Sequence, residues 1–179
     1  EGEFPKLRDY GFGIIVSTTT ERFNTGRNRN VAAYRLDTDI ISFIDADDNM
    51  HPQRIEALLA AFSEPCDIVL HSFFEACDAL TPYPKIDQFT ILRNQLRQCP
   101  TGCIILDHRA HIHHAQSTVR REIFEQNPYT GKDENILTED CKFCYRIFSL
   151  PGVQTAYLAH PLSKYVPSLT CIAFNEGRE

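Results

Sequence analysis

Asp45, Asp47 and Asp48 follow Ile40-Ile41-Ser42-Phe43-Ile44 with only Ala46 between them, so an apolar run ends abruptly in carboxylates. Side chains of an extended chain alternate with period two, which puts Asp45 and Asp47 on the same side of the backbone. Two hard oxygen donors at that spacing suit Mg²⁺ or Mn²⁺ shared with substrate phosphates. One Asp here would read as a polar turn or a helix cap. Three after an apolar stretch read as a functional edge. A second acidic pair, Glu139-Asp140, opens a helical pattern with Phe143, Ile147 and Phe148 on its apolar face. The helix dipole favours acids in a first turn, so capping is the simpler role for this pair. A carboxylate at the mouth of a cleft is also what a general base needs, provided an acceptor hydroxyl reaches it.

The elements that carry these groups are legible from periodicity and punctuation. Ile14 to Ser17 reads as a strand, Thr18 to Gly26 as a polar loop, and about Arg27 to Leu36 as a helix with Val31, Ala32 and Arg35 on or near its inner face. Ile40 to Asp45 is the second strand. Pro52 suits a first helical position, with Asp48 and Asn49 as candidate caps. Ile55, Leu58, Leu59 and Phe62 then give helical spacing to about Ser63. Asp67 to Phe73 is a third strand, Ile86 to Gln98 a helix by the spacing of Phe89, Leu92 and Leu96, and Cys103 to Leu106 a short strand. Val119 to Gln126 reads as a short helix, Thr138 to Leu150 as a helix with a Thr cap, and Val153 to Leu158 as a last strand. Pro161 and Pro167 make the tail irregular. Alternation of this kind predicts an α/β sandwich with a central, mostly parallel mixed sheet flanked by helices. Such folds bind ligands at the carboxyl ends of strands.

Composition narrows the function. The chain has 179 residues and reads as a single domain over 1–179, large enough for a hydrophobic core. A net charge of −6 argues against general nucleic-acid binding. No apolar run approaches a membrane span and no signal peptide is evident. Seven cysteines, at positions 66, 77, 99, 103, 141, 144 and 171, are odd in number and irregularly spaced. Cys141-x-x-Cys144 lacks the second pair that a zinc ribbon needs. The cysteines read as mostly reduced and buried, which places the chain in a reducing, cytoplasmic compartment with any membrane association peripheral. His108, His111, His113 and His114 fit no standard metal spacing and read as a polar loop. Arg120 and Arg121 read as solvated or structural, with one guanidinium suited to phosphate. Phe73, Phe74 and Tyr83 read as core first and as sugar-stacking rings second.

Taken in order, the motifs resemble family 2 glycosyltransferases of the GT-A fold. The residues that carry the resemblance are Gly26-Arg27-Asn28-Arg29-Asn30-Val31-Ala32, Asp39 to Asp48, and Pro52-Gln53-Arg54-Ile55. Val119-Arg120-Arg121, Thr138-Glu139-Asp140 and Tyr157-Leu158-Ala159-His160 follow, so the resemblance spans roughly residues 11 to 166. It implies a metal-dependent, inverting transfer of a sugar from a UDP- or GDP-linked donor to a hydroxyl acceptor on a glycan or glycoconjugate. Asp47 would bind the Mn²⁺ or Mg²⁺, with Asp45 on the ribose or supporting the metal. Arg29 would lie near the donor nucleotide. Asp140 would be the base, Glu139 would shape the acceptor site, and His160 would approach the metal or diphosphate. The chain has no Trp, so the Gln-x-x-Arg-Trp signature of processive synthases is missing, which implies single-sugar transfer. The family's usual first strand and helix, and its Asp-Asp-Gly-Ser turn, are not found, so the chain reads as N-terminally incomplete. Two other readings use the same residues. A phosphatase of the haloacid dehalogenase type would make Asp45 the nucleophile and Asp47 the acid. A binding or scaffold domain would keep the fold without the chemistry.

Overall fold

The computed structural model describes residues 13, 15–16, 25–45, 48–75, 82–98, 104–105, 116–130 and 139–165. In chain order these form α1 (Thr25–Ala33), β1 (Ile40–Ser42), β2 (Asn49–Met50), α2 (Arg54–Phe62), β3 (Ile68–Glu75), β4 (Ile91–Arg93), β5 (Arg97–Gln98), β6 (Ile104–Ile105), β7 (Ser117–Arg120), α3 (Arg121–Gln126), α4 (Glu139–Phe148) and β8 (Thr155–Tyr165). The main sheet runs β1-β7-β3-β8-β2, with β4 also on β8, while β5 and β6 pair separately.

The α/β sandwich and the mixed sheet stand, but the sheet is not mostly parallel. Among the described strands only β3 and β8 pair parallel, whereas β7 is antiparallel to both β1 and β3. β1, β3 and β8 therefore run the same way, but β7 separates β1 from β3. Strand direction is a property of topology, and no local pattern in the sequence encodes which strand is inserted between two others.

Strand β3 shows how the core is divided. Ile68 and Leu70 pack with Ile41, Phe43, Val119, Phe124, Tyr129, Phe143 and Ile147 on one face. Val69 packs with Ala57, Leu58, Ala61, Phe62, Leu158 and Leu162 on the other. Period-two alternation makes one strand serve two cores, each fully buried aliphatic chain contributing about 1.5–3 kcal/mol. Helices α3 and α4 lie over the first face and α2 over the second.

Several local expectations shift. Ile15 and Val16 are exposed and lie in no strand. In α1 the buried residues are Gly26, Arg29 and Ala33, and Val31 is exposed. Helix α2 starts at Arg54 with Gln53 as its cap residue; Asn49 lies in β2, and His51 Nδ1 accepts the Gln53 N–H at 2.9 Å instead. Its buried face is Arg54, Ala57, Leu58, Ala61 and Phe62, leaving Leu59 outside. The helix expected over Ile86 to Gln98 is strand β4 followed by β5. Ile91, Leu92 and Arg93 pair with β8, and Asn94 then turns into the left-handed region at φ 53°. Asn94 holds Thr155 through both backbone and side chain, so pairing along β8 outweighs a weak helical period. Val119 belongs to β7, where it is completely buried, and only Arg121 onward is helical. Pro161 does not end β8; it falls at a register shift within it. The described cysteine side chains Cys66 and Cys144 are buried thiols in no disulfide. Burial pushes the Cys66 thiol up to about 11, as in a structural thiol. Among the described residues no helix is long and apolar enough to cross a membrane.

Candidate functional site

Strand β1 delivers Asp45 to the sheet edge. Its ladder with β7 ends at Ser42 opposite Thr118, after which the Asp48 N–H closes a four-residue turn onto the Asp45 carbonyl at 3.1 Å. Asp45 meets Arg29 of α1, whose Nη2 stands 2.6 Å from Asp45 Oδ1. The other arm of the same guanidinium, Nη1, bonds Asp140 Oδ1 at the start of α4. One cation thus joins two acids that lie far apart in the chain. Arg29 is 7% exposed. Burial works against its charge, but Tyr129, Asp140 and Asp45 outweigh that and hold its pKa above the ordinary arginine value.

Glu139 does a different job. Its Oε2 accepts the Gly26 N–H at 2.9 Å, which docks the first turn of α1 on the first turn of α4. A Cβ on Gly26 would fall 1.8 Å from Glu139 Oε1 and 2.8 Å from Tyr129 Cβ, so only glycine permits this approach. Burial, then the Asp140 charge, raises the Glu139 pKa, against the Gly26 N–H and Arg29. Asn30 completes the joint. Its side chain donates to the Tyr129 carbonyl at 2.7 Å and accepts the Tyr129 N–H at 3.0 Å. The Tyr129 ring lies under the Arg29 guanidinium at 5.4 Å and stacks on Phe143 at 4.2 Å.

Arg29, Asp45, Glu139 and Asp140 therefore come together as one polar cluster. Asp47 lies outside the described residues, as do His108, His111, His113 and His114. His160 faces elsewhere. Its Nε2 accepts the Thr90 N–H at 2.7 Å, and its ring packs on Phe89. Arg120 and Arg121 are structural: Arg120 Nε donates to the Cys66 carbonyl at 2.7 Å, and Arg121 binds the carbonyls of Leu36 and Thr38 and the Glu125 carboxylate. Tyr83 is half-buried, with its hydroxyl donating to the Asn49 carbonyl at 2.5 Å and its ring against His51.

The donor set for a divalent ion is hard oxygen, and Asp45 fits it as a partly exposed carboxylate at a turn. Among the described residues no three His, Cys, Asp or Glu side chains stand close enough to enclose an ion.

Two residues of consequence receive no individual role from the motifs. Tyr129 supplies the floor under Arg29 and carries no sequence signal beyond being aromatic. Arg54 did carry one, since it occupies the same helical face as Ala57, Leu58 and Ala61, where a cation is out of place.

The profile of glycosyl transferase family 2 matches residues 4–127. That span takes in α1, the acidic turn, α2 and the strands through β7 with α3, and it ends before Glu139 and Asp140. No curated protein matches the chain. The match removes the ground for a haloacid-dehalogenase phosphatase centred on Asp45. An apolar strand ending in Asp-Ala-Asp-Asp, a glycine-led helix docked beside it and a profile match over more than half of the sequence lead to one conclusion: the chain belongs to glycosyl transferase family 2 and has the GT-A fold.

Proposed function

We propose that this chain transfers a single sugar from a UDP- or GDP-linked donor to a hydroxyl of a glycan or glycoconjugate, with inversion and with Mn²⁺ or Mg²⁺. The observation that carries this reading is the Arg29 bridge between Asp45 and Asp140. It brings the carboxylate that ends the apolar strand and the carboxylate at the start of α4 within the span of one guanidinium, which supports a donor-side and an acceptor-side acid at one site. Asp47 and Asp45 would hold the ion, which when bound neutralises the charge of the departing diphosphate. Asp140 takes the acceptor proton. The acceptor oxygen bonds to the anomeric carbon as the bond to the diphosphate oxygen breaks, and the electron pair leaves with the nucleotide. One displacement inverts that carbon. Glu139 shapes the acceptor side indirectly, by fixing α1 against α4.

Calorimetric titration of UDP and GDP, each with and without Mn²⁺, tests the donor half on the wild-type chain and on Asp47→Ala. Binding that needs both Mn²⁺ and Asp47 is expected. Equal binding by the Asp47→Ala chain would remove Asp47 from the ion site. For the acceptor half, Asp140→Asn is expected to keep nucleotide binding and to lose about 10²–10⁴-fold in transfer. Undiminished transfer would remove Asp140 as the base.

A further inference from the structure

Arg54 is the largest fully buried side chain of the described residues, at 1% exposure, and it comes from α2, outside the cluster around Arg29. Its Nη2 donates to the Phe43 carbonyl at 2.6 Å and to Ser42 Oγ at 3.0 Å. Ser42 is the last residue of the β1 ladder, and Phe43 begins the chain's departure toward Asp45. The Phe43 N–H still reaches Ser117, at 3.4 Å, so on this stretch β7 holds the amide and Arg54 holds the carbonyl. Thr118 Oγ1 donates to Ser42 Oγ at 2.9 Å and ties the same point to β7.

Beyond the turn, Asp48 stands close enough to favour the Arg54 charge, together with Tyr83. Burial dominates and brings the Arg54 pKa down to about 10. It also faces His71, completely buried, whose pKa is held well below the usual histidine value by burial and by the Arg54 charge. Within this interior the positive charge has a direction: carbonyl and hydroxyl at the entry to the turn, and the Asp48 carboxylate at its exit.

A buried charge and its polar partners are a poor way to gain stability, because well-packed apolar side chains in place of the whole group often do as well or better, although removing the cation alone strands its partners. Its return is specificity of conformation. We propose that Arg54 is a positioning residue: it fixes the backbone at Ser42 and Phe43, and so sets the aim of Asp45 and the Asp48 N–H bond to its carbonyl, at the site that receives a nucleotide diphosphate and its ion. Arg29 grips the Asp45 side chain from one helix, and Arg54 grips the backbone before it from another. The proposal rests on the donor site proposed above only for its ligand; the effect on the turn stands apart from it.

The test uses Arg54→Met and Arg54→Lys in the full chain. The first readout is amide hydrogen exchange at Asp48, whose N–H is held by the Asp45 carbonyl, against Leu70 in the buried strand β3 as the measure of global opening. Losing a charge-assisted hydrogen bond at the entry to the turn is expected to speed Asp48 exchange in Arg54→Met about tenfold more than Leu70 exchange. Arg54→Lys, which keeps the charge and one donor group, is expected to recover part of that protection. The second readout is Mn²⁺-dependent UDP and GDP affinity, expected to weaken about tenfold in Arg54→Met and partly return in Arg54→Lys. Equal acceleration at Asp48 and Leu70 would make Arg54 a residue of general stability and overturn the proposal. So would unchanged nucleotide affinity with a loosened turn. A wild-type chain that binds neither nucleotide would overturn the donor reading, while the exchange comparison still decides whether Arg54 holds the turn. If Arg54→Met does not fold, the exchange and affinity of Arg54→Lys relative to wild type decide both points.

Discussion

The two arginines that flank the acidic turn are both almost completely buried, yet their surroundings differ in kind. Arg29 neutralises two carboxylates on the side where α1, β1 and α4 converge. Arg54 sits among a carbonyl, a hydroxyl, a tyrosine and a neutral histidine on the opposite face of the sheet, with Asp48 as the anion that most favours its charge. The first arginine has its pKa raised, and the second has it lowered to about 10. Burial disfavours both charges, so the difference comes from what burial is offset by. Tyr129 and two carboxylates outweigh it at Arg29, and Asp48 with Tyr83 does not at Arg54. Arg29 is therefore held by ion pairs to two carboxylates, and Arg54 by hydrogen bonds to a carbonyl and a hydroxyl.

The comparison breaks most visibly if both cations are removed by the same substitution. Arg29→Met leaves Asp45 and Asp140 facing each other without a counter-ion and is expected to cost about 3–5 kcal/mol in urea unfolding. Arg54→Met leaves a carbonyl and a hydroxyl short of a donor and is expected to cost about 1–3 kcal/mol. Equal costs would mean that the two sites do not differ in the way their partners indicate. A third substitution acts on the joint beside Arg29. Gly26→Ala drives a methyl into Glu139 and the Tyr129 Cβ, and the backbone shift that relieves it is expected to cost about 1–3 kcal/mol. A neutral result in thermal unfolding would show that α1 is not seated on α4 as described.

The smallest effect concerns pH. The Glu139 pKa is raised in the folded state, so the folded chain holds that proton more tightly than the unfolded chain. The stability this brings is full below the ordinary glutamate range and is lost as pH rises through the raised value. Glu139→Gln keeps an oxygen for the Gly26 N–H and removes the titration. Its stability is expected to fall less than that of the wild type between acid and neutral pH, and parallel profiles would show that Glu139 is not the group responsible.

Local spacing made the acidic turn, helices α2 and α4 and strand β3 legible. Each has a strong period or a sharp change from apolar to charged residues. The segment from Ile86 to Gln98 misled because Phe89, Leu92 and Leu96 carry a helical spacing over residues that instead pair with β8. That outcome depends on Asn94 and Thr155, which are 61 residues apart. Val119 was misassigned for a similar reason, since ladders on both sides of β7 override its place in a short helical pattern.

The sequence by itself determined where the carboxylates fall, which helix follows them, and that a glycine-led basic helix precedes them. These are properties of neighbours, and chain stiffness, capping and side-chain period act over a few residues. Only the tertiary structure decided that Arg29 would take Asp140 as well as Asp45, across 111 residues of chain, that β7 would separate β1 from β3, and that His160 would spend its lone pair on Thr90. The first of those choices is made by burial, and the others by which strands and loops the fold sets side by side. A charged or polar group carried into the interior must find its partner there, and which partner is within reach depends on how the elements pack.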